Sequence, residues 1–371
     1  MKILVLEAYD GGSHRSFLDG LIAHSRHTYV RLGLPARKWK WRMRGSALYF
    51  AEILAPRPAE AEGIDLVFTS DMTAVCDLRG LLPAELKDKP LVCYFHENQL
   101  TYPLEEENER DYQYGFTNIT SALAATAVWF NSGYHRKSFL KAASQLLRRM
   151  PDCVPETVGD RLAARSRVMP LGLADELFEI PRRNTRRGPP VLLWNHRWEY
   201  DKNPEGFFES LFDLERAGVD FRLVVLGEQF REAPPIFAAA QKILKHRIEQ
   251  YGYVAGRKEY QAWLERTDVV VSTAWHEFFG LAVLEAVAAG CLPLLPRRLS
   301  YPELIPEEVH GDCLYDDEVD FKKKLRAICE HGQEGMNPKL QIRLREHLSV
   351  WRWSRLARQY DRAFEEVIQQ G

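Results

Sequence analysis

"DVVVSTAWHEFFGLAVLEAVAAGCLPLLP", residues 268–296, contains in one piece a pattern that recurs along the whole chain. A run of valines leads into a polar corner, then into an apolar helical segment, and then into a second apolar run. Short β-branched runs that alternate with helical segments are typical of parallel strands covered by helices on both faces. The stretch therefore predicts a strand, a helix and a neighbouring strand of an α/β sheet.

The same alternation occurs twice. The first half of the chain has apolar runs at "KILVLEA", "DLVFTS", "PLVCYFHE" and "AVWFNS", and the pattern restarts after residue 190 with "PVLLWNHR", "FRLVVLGE" and "DVVVSTA". A chain of 371 residues also exceeds what one hydrophobic core usually serves. We therefore predict an α/β protein with two Rossmann-like, doubly wound parallel-sheet domains that face a central cleft, where ligands should bind.

A segment poor in apolar periodicity separates the two halves. "DELFEIPRRNTRRGPP", residues 175–190, is rich in Pro, Arg and Gly, a composition typical of a linker. We predict an amino-terminal domain over 1–175, a linker over 176–190 and a second domain over 191–345. A last helical stretch follows over 346–371.

Composition favours a soluble cytoplasmic protein. The amino terminus becomes polar too early for a signal peptide. The six cysteines are scattered, without spacing suited to a metal, which favours small reduced side chains.

The formal net charge of −2 hides an uneven distribution. Residues 1–187 carry 26 basic against 23 acidic side chains, and the remainder carries 24 against 29. The basic excess is concentrated in residues 37–44, with five basic side chains, and in residues 136–187, with 12 basic against six acidic. Such patches either bind a polyanion or face water.

"PARKWKWRMRGS", residues 35–46, alternates basic and apolar side chains with a period of two. A period of two predicts a strand with one basic and one apolar face. The strand is either a charged edge protected against aggregation, or a surface for RNA phosphates with an indole available to stack on a base. The basic face would hold Lys38, Lys40, Arg42 and Arg44; the other would hold Trp39, Trp41 and Met43.

The corner within residues 268–296 contains the candidate donor site. Glu277 and Glu285 lie two helical turns apart, which would place them at similar azimuths on one helix. Phe279, Gly280 and Leu281 open that helix, and their free amides suit a phosphate. The alternative is a helix-start carboxylate at Glu277 and an ordinary exposed residue at Glu285.

Two cations follow the first strand of the second half. In "NHRWEYDKNPEGFF", Arg197 and Lys202 precede a helix that begins near Pro204. They either clamp a diphosphate, as a guanidinium fork and a point charge together, or pair with Glu199 and Asp201.

Two corners in the first half also carry polar groups. "YDGGSH" provides Gly11 and Gly12 for close backbone approach, but it lacks a dinucleotide-binding fingerprint and is as well explained by a turn. "YFHENQLTYP" places His96, Asn98 and Gln99 directly after a strand, where they either bind a sugar or stabilise the loop.

These residues carry a resemblance to a known family. "HEFFGLAVLEA" resembles the E-x7-E signature of retaining GT-B glycosyltransferases of family 4, "HRWEYDK" occupies the place of their donor clamp, and "VWRWSRLARQYDRAFEEV" resembles their last helix, which packs back on the first domain. "LEAYDGGSH", "LPARKWKWRMRGSALYF", "YFHENQLTYP", "ERDYQYGF" and the two donor motifs are together similar to the tRNA-queuosine α-mannosyltransferases. The similarity spans nearly the whole chain.

The resemblance implies transfer of mannose from GDP-mannose, with retention, to the cyclopentenediol of queuosine in the anticodon of tRNA-Asp. It implies that Glu277 contacts the donor sugar, that Glu285 contacts the ribose, and that Arg197 and Lys202 neutralise the departing GDP. Gly12, with Phe279 and the amides of Gly280 and Leu281, would bind phosphate and sugar. Val254 would read the base through its backbone.

On the acceptor side, the resemblance implies that His96 holds the sugar or the acceptor hydroxyl, with Asn98 and Gln99 beside it. No metal is expected, since Arg and Lys can neutralise the diphosphate and the sequence has no Asp-x-Asp motif. Retention without a carboxylate nucleophile suggests same-face attack.

Two alternatives remain open. One is a family 4 glycosyltransferase that acts on a lipid or small molecule, although the period of two in residues 37–44 does not suit an amphipathic membrane helix. The other is an inactive relative that only binds RNA, although such a protein would not need Glu277, Glu285, Arg197 and Lys202.

Overall fold

A computed structural model describes residues 1–56, 62–103, 110–181, 188–229, 233–332 and 337–370. The chain forms two compact units. Unit 1 comprises Met1–Gly172 and Trp353–Gly371, and unit 2 comprises Leu173–Arg352.

Unit 1 is a six-stranded parallel sheet with helices on its faces. The strand order is β2-β1-β3-β4-β5-β6. Its elements are β1 (Lys2–Asp10), α1 (Gly12–His24), β2 (Thr28–Pro35), α2 (Trp39–Leu54), β3 (Leu66–Ser70), α3 (Val75–Leu81), α4 (Ala84–Lys87), β4 (Leu91–Phe95), α5 (Tyr112–Ala124), β5 (Ala127–Phe130), α6 (Gly133–Leu147), α7 (Val158–Arg165) and β6 (Ser166–Val168).

Unit 2 repeats this architecture, with the strand order β12-β11-β10-β7-β8-β9. Its elements are β7 (Val191–Trp194), α8 (Pro204–Arg216), β8 (Arg222–Val225), α9 (Ile236–Ile243), β9 (Ile248–Tyr251), α10 (Arg257–Arg266), β10 (Val269–Val271), α11 (Leu281–Ala289), β11 (Leu292–Pro296), α12 (Tyr301–Leu304), α13 (His310–Cys313), β12 (Leu314–Tyr315), α14 (Glu318–His331) and α15 (Pro338–Leu348). Short 3-10 turns lie at Asp175–Phe178, Tyr200–Lys202, Glu307–Val309 and Ser349–Trp351.

The last helix, α16 (Trp353–Gln370), belongs to unit 1. Its apolar side chains are buried, and its first residue fills a space left by two glycines. A Cβ on Gly20 would lie 2.0 Å from the indole nitrogen of Trp353, and a Cβ on Gly172 would lie 2.3 Å from the same ring. The indole therefore needs glycine at both positions to pack against α1.

The strand orders determine where each unit can bind a ligand. In a doubly wound sheet, ligands bind outside the carboxyl ends of the strands where the order reverses. The reversal lies between β1 and β3 in unit 1, and between β10 and β7 in unit 2. The loops after these four strands are the candidate sites.

Residues 39–54 correct one prediction. The basic stretch is not a strand but the start of α2, and Lys38 is its N-cap in the left-handed conformation. The buried residues Met43, Ala47, Phe50 and Leu54 recur at helical spacing. Their burial against the sheet outweighs the local period of two, which spans only about two turns of helix.

The domain limits also differ from those predicted. The units divide after Gly172 and after Arg352, and Leu177 and Phe178 of the expected linker are buried in unit 2. Residues 182–187 of that segment lie outside the described residues. Within the described ranges, no helix combines the length and the apolar character needed to cross a membrane.

Candidate active site

An ion pair between Lys202 and Glu277 lies at the point where the sheet of unit 2 reverses. The Lys202 ammonium lies 3.5 Å from the Glu277 carboxylate and 3.0 Å from that of Asp201, and it donates to the His276 carbonyl at 2.8 Å. Lys202 follows β7, and Glu277 follows β10. The two strands are adjacent, so their loops deliver opposite charges to one place.

Burial and the facing charges set the protonation of this pair. Burial disfavours the ammonium, but Glu277 and Asp201 outweigh it and raise the pKa of Lys202. Burial likewise disfavours the carboxylate, but Lys202 and the other surrounding groups together outweigh burial and lower the pKa of Glu277 to about 2. Burial and the charge of Lys202 lower the pKa of His196 and His276 to about 3. At neutral pH the site therefore holds a charged pair between neutral imidazoles.

Backbone hydrogen bonds hold the two loops against each other. The amides of Trp275 and His276 donate to the Asp201 carbonyl, and the Thr273 hydroxyl donates to the carbonyls of Lys202 and Asn203. Asn203 is left-handed, and its side chain caps α8, which begins at Pro204 as predicted. The lysine is thus presented from a rigid turn.

Glu277 lies in the loop before α11, which corrects the prediction that Glu277 and Glu285 share one helix. The helix begins at Leu281, with Gly280 as its N-cap at φ +86°. A Cβ at Gly280 would lie 2.9 Å from the Tyr301 ring. The positive φ lets the chain turn sharply there, so Glu277 comes beside Lys202 while the amides at the start of α11 stay available for an anion.

Glu285 is buried inside α11 and held by two residues of α10. Arg257 lies 3.3 Å from one carboxylate oxygen, and the Tyr260 hydroxyl donates to the other at 3.1 Å. Asn195, directly after β7, lies 3.3 Å from the same hydroxyl and donates to the Ala282 carbonyl at 2.7 Å. Burial raises the pKa of Glu285. Its surroundings suit a hydroxyl-bearing ligand rather than an exposed surface role.

Arg197 and Val254 lie at the margins of the site. Arg197 is exposed and pairs with Glu199 at 3.0 Å, and its charge acts against that of Lys202. Val254 is half-buried in the segment between β9 and α10, which leads to Arg257. No sequence pattern indicated Arg257, Tyr260 or Asn195, because their roles depend on which helix packs on α11.

In unit 1, a buried polar cluster lies at the carboxyl ends of β1, β3 and β4. The Glu7 carboxylate accepts from the Ser70 hydroxyl at 2.8 Å, and the His14 ring nitrogen lies 3.2 Å away. The His14 ring stacks on that of His96, with 3.9 Å between centroids. Glu7 and His14 were missed because both lie in stretches that look apolar or glycine-rich.

The imidazole ring of His96 faces this cluster without a hydrogen-bonding partner among the described residues. Neither ring nitrogen of His96 is hydrogen-bonded within the described part of the chain, even though the residue is buried, with only 8% of its surface exposed. Burial and the charge of His14 lower the pKa of His96, so it is neutral. Burial alone would lower the pKa of His14, but the Glu7 carboxylate outweighs the effect of burial and raises this pKa to about 9. A neutral imidazole with both nitrogens available suits a hydroxyl ligand.

The loop that carries His96 is fixed by Asp71 and by its own amides. Asp71 accepts from the His96 amide at 2.8 Å, and burial raises its pKa. Asn98 is fully buried and accepts from the amides of Leu100 and Thr101. Gln99 is half-buried and donates to Glu97. Asn98 therefore builds the loop, and Gln99 is the more accessible of the two.

Glu7, His14 and His96 also form the one group of potential metal ligands found among the described residues. Their nearest ligand atoms lie within 4.8 Å of one another. The same Glu7 oxygen already bonds the Tyr9 amide, Ser70 and His14. These contacts favour a hydrogen-bonded network over a metal centre.

Gly12 begins α1 with φ +51°, at the end of β1. A Cβ there would meet nothing within 4 Å, so the open space over this backbone admits a ligand. The neighbouring Gly11 is extended and lies against Ala36, where a Cβ would come to 2.4 Å. Gly11 is therefore required by packing, and Gly12 by conformation.

Helix α2 places basic and aromatic groups on one exposed face. Lys40 and Arg44 are exposed one turn apart, and Trp41 beside them is 76% exposed. Arg44 lies over the Tyr114 ring at 4.8 Å, while Arg42 donates to the Pro35 carbonyl. The helix thus puts an indole on the basic face, whereas the predicted strand had put it on the opposite one.

The second basic segment, residues 136–187, contributes less free charge than its composition suggests. Arg136 donates to the carbonyls of Ser166 and Ala163, and Arg165 donates to those of Leu123 and Ala125. These guanidinium groups tie α5, α6 and α7 to the edge of the sheet. They act mainly within unit 1.

Comparison with known proteins agrees with both units. Residues 2–173 match the family model described as tRNA-queuosine alpha-mannosyltransferase N-terminal, and residues 176–343 match glycosyl transferases group 1. The chain is 37% identical over 337 residues to the tRNA-queuosine alpha-mannosyltransferase of Drosophila melanogaster, covering 88% of this chain and 86% of the relative.

More distant relatives share part of the sequence or the fold. The chain is 32% identical over 163 residues, 42% of this chain and 41% of the relative, to a GDP-mannose-dependent alpha-(1-6)-phosphatidylinositol dimannoside mannosyltransferase of Mycobacterium tuberculosis. The sucrose-phosphate synthase of Thermosynechococcus elongatus superposes with a TM-score of 0.74 at 15% identity, covering 100% of this chain and 99% of that one. The predicted GT-B fold class is confirmed.

Proposed function

Because the chain belongs to the tRNA-queuosine α-mannosyltransferase family, we propose that it moves mannose from GDP-mannose, with retention, to the cyclopentenediol of queuosine in tRNA-Asp. It is a glycosyltransferase by both of its domains. The observation that carries the proposal is the buried Lys202–Glu277 pair beside the start of α11, where a sugar diphosphate finds a cation, a carboxylate and free amides together.

The donor side follows from these contacts. The start of α11 and Lys202 bind the diphosphate, and Glu277 accepts from a sugar hydroxyl. Glu285, fixed by Arg257 and Tyr260, accepts from the ribose hydroxyls. GDP-mannose is the favoured donor because the mycobacterial relative is named as dependent on it. Val254 lies in a loop suited to contact the base.

The charges of the site fit the chemistry of sugar transfer. Breaking the bond between the anomeric carbon and the phosphate oxygen leaves a diphosphate anion and an oxocarbenium-like sugar. Lys202 and Arg197 neutralise the anion, and Glu277 stabilises the positively charged sugar. Because these groups are already in place, no solvent has to reorient as the charges develop. We propose that these cations supply the charge that a metal would otherwise provide, so chelation should leave the activity unchanged.

The acceptor attacks from the face that the diphosphate leaves. A new bond forms between the anomeric carbon and the queuosine hydroxyl oxygen, the phosphate bond breaks, and the hydroxyl proton passes to the departing phosphate. Retention then needs no enzyme nucleophile. Detection of a covalent mannosyl-enzyme by mass spectrometry would contradict direct same-face attack by the acceptor hydroxyl.

Unit 1 provides the acceptor side. His96 is neutral and its two buried ring nitrogens lack partners among the described residues, Gly12 leaves room over its backbone, and the exposed face of α2 offers cations and an indole to RNA. We assign the anticodon loop to α2, since unstacked bases commonly stack on aromatic side chains. The acceptor being a tRNA, we place the reaction in the cytoplasm.

A transfer assay tests the proposal. The protein is incubated with GDP-mannose, or with UDP-glucose as the comparison donor, and with tRNA-Asp that either carries or lacks queuosine. Nucleosides are then analysed by mass spectrometry for an added hexose. We expect the hexose only with GDP-mannose and queuosine-containing tRNA-Asp.

Other outcomes identify the alternatives. Transfer to a lipid or small molecule but to neither tRNA contradicts the proposal. Binding of tRNA without transfer to any acceptor indicates an inactive relative. Equal transfer to other queuosine-containing tRNAs would support the proposed reaction but contradict the assignment of tRNA-Asp as its acceptor.

A further inference from the structure

The last helix presents a row of arginines away from the core. Arg355, Arg358 and Arg362 follow one another at spacings of three and four residues, which places them on one face of α16. All three are exposed, whereas Leu356, Tyr360 and Phe364 on the other face are buried in unit 1. The helix is therefore anchored by its apolar face and displays a basic one.

An edge strand closes the other side of this row. The groove has a volume of about 420 Å³. It is lined by the arginine row on one side and by Arg167, Val168 and Met169 at the end of β6 on the other. Arg167 lies over the Trp129 ring at 5.2 Å and 2.8 Å from the Glu366 carboxylate. Four guanidinium groups and one carboxylate thus line the groove, which carries a clear positive excess.

Among the described residues, two of these arginines lack the acidic partner that Arg297 and Arg326 of unit 2 have. Arg326 pairs with Glu330 at 2.7 Å, and Arg297 pairs with Asp316 at 2.6 Å. In the described ranges, the side chains of Arg358 and Arg362 make neither an ion pair nor a hydrogen bond. Like charges one helical turn apart repel each other, so an anion in the groove would relieve a cost that the free protein carries.

We propose that this groove binds consecutive phosphates of the tRNA backbone. The proposal rests on the function proposed above and adds a contact surface that the queuosine site does not require. Guanidinium forks bind phosphate in bidentate fashion. From Arg355 to Arg362 the helix rises about 10 Å, which exceeds a single phosphate and fits a strand of them.

The position of the groove distinguishes it from the basic face of α2. Strand β6 is one edge of the sheet of unit 1, whereas α2 follows β2 at the opposite edge. A tRNA can therefore contact unit 1 at two separate places. A membrane surface fits less well, because an interfacial helix inserts its apolar face and that of α16 is buried.

Direct RNA binding tests the groove independently of catalysis. Fluorescence anisotropy with a labelled tRNA-Asp transcript, without queuosine and without donor, is measured between about 50 and 200 mM KCl. The variant is Arg358→Gln with Arg362→Gln. We expect its affinity to fall about ten-fold at low salt and the slope of log K against log salt to decrease by about 1.5, as for two lost phosphate contacts. The Arg358→Lys, Arg362→Lys variant should retain most of the binding.

A matched control removes two exposed charges from unit 2 instead. Arg297→Gln with Arg326→Gln should bind tRNA within about two-fold of wild type. An equal loss in the control, or unchanged binding in the groove variant with an unaltered thermal melt, overturns the proposal. Unchanged tRNA binding with lost binding to vesicles of phosphatidylserine and phosphatidylcholine would instead identify a membrane surface. If the wild-type protein binds tRNA but transfers no mannose, the proposed function is wrong, whereas the proposal that the groove binds tRNA is retained.

Discussion

At the scale of single residues, the proposed donor site depends on opposite charges that are largely shielded from water. Lys202 is 6% exposed and the Glu277 side chain is 20% exposed, so Glu277 depends on Lys202 for its counter-charge, and Lys202 depends on Glu277 and Asp201. Removing one partner of a buried pair leaves an uncompensated charge, whereas removing both relieves the cost. Comparing a variant that lacks one partner with a variant that lacks both therefore distinguishes the contribution of the pair to stability from its contribution to the reaction.

Lys202→Met should therefore lose both stability and activity. We expect destabilisation of about 3–5 kcal/mol, measured by urea unfolding, because Glu277 and Asp201 stay buried without their cation. We expect kcat to fall about 10²–10³-fold, as for other groups that stabilise transition-state charge. Lys202→Met with Glu277→Gln should recover the part of the stability that is lost through Glu277, while Asp201 stays unpaired, and none of the activity. Recovery of both would mean that Lys202 has only a structural role.

His14 should make the stability of unit 1 depend on pH. Its pKa is raised from 6.5 to about 9 in the folded state, so its pairing with Glu7 contributes fully below pH 6.5 and is lost as the pH rises through 9. The shift corresponds to about 3 kcal/mol. Urea unfolding of wild type and His14→Gln should differ most in acid and converge in alkali. A constant difference across this range would contradict the pairing.

At the scale of elements, the basic stretch shows why a local pattern can mislead. Eight residues with a period of two predicted a strand, but the apolar positions further along, at Met43, Ala47 and Phe50, follow the helical period. A longer window would have favoured the helix, since those side chains must face the sheet together. The outcome places Trp41 on the same exposed face as Lys40 and Arg44.

That face should contribute to tRNA binding through charge and stacking. Lys40→Gln with Arg44→Gln should weaken binding of tRNA and flatten its salt dependence, because phosphate contacts release counterions. Trp41→Ala should cost about 1–3 kcal/mol if the indole stacks on a base. Anisotropy with the tRNA transcript measures both, and titration with GDP-mannose should be unchanged. A loss of donor affinity instead would place α2 in the donor site.

At the scale of the whole molecule, the two ends of the chain build one unit. Helix α16 fills the space beside α1 with Trp353, and the buried side chains of Leu356, Tyr360 and Phe364 complete the core of unit 1. Contact between the first and last elements cannot be read from local periodicity. Only the similarity of the last helix to a known family indicated it.

Truncation after Arg352 should therefore destabilise unit 1 rather than unit 2. Loss of the four large buried side chains of Trp353, Leu356, Tyr360 and Phe364 removes several kcal/mol of stabilisation, since each contributes about 1.5–3 kcal/mol on burial. Hydrogen exchange resolved by peptide should show faster exchange in β1, β3 and β4, with β7 and β10 still protected. Equal loss of protection in both units would contradict the division of the chain.

The sequence by itself determined the two doubly wound sheets, the helix that begins at Pro204, and the corners that hold His96, Lys202 and Glu277. These follow from alternation and from short motifs, which act over a few neighbouring residues. The tertiary structure decided that α2 is a helix, that Glu277 precedes α11, and that Tyr260 and Arg257 hold Glu285. It also decided which arginines are bonded internally and which line the groove of α16. Those outcomes depend on packing between elements distant in the chain, and burial there outweighs local preference.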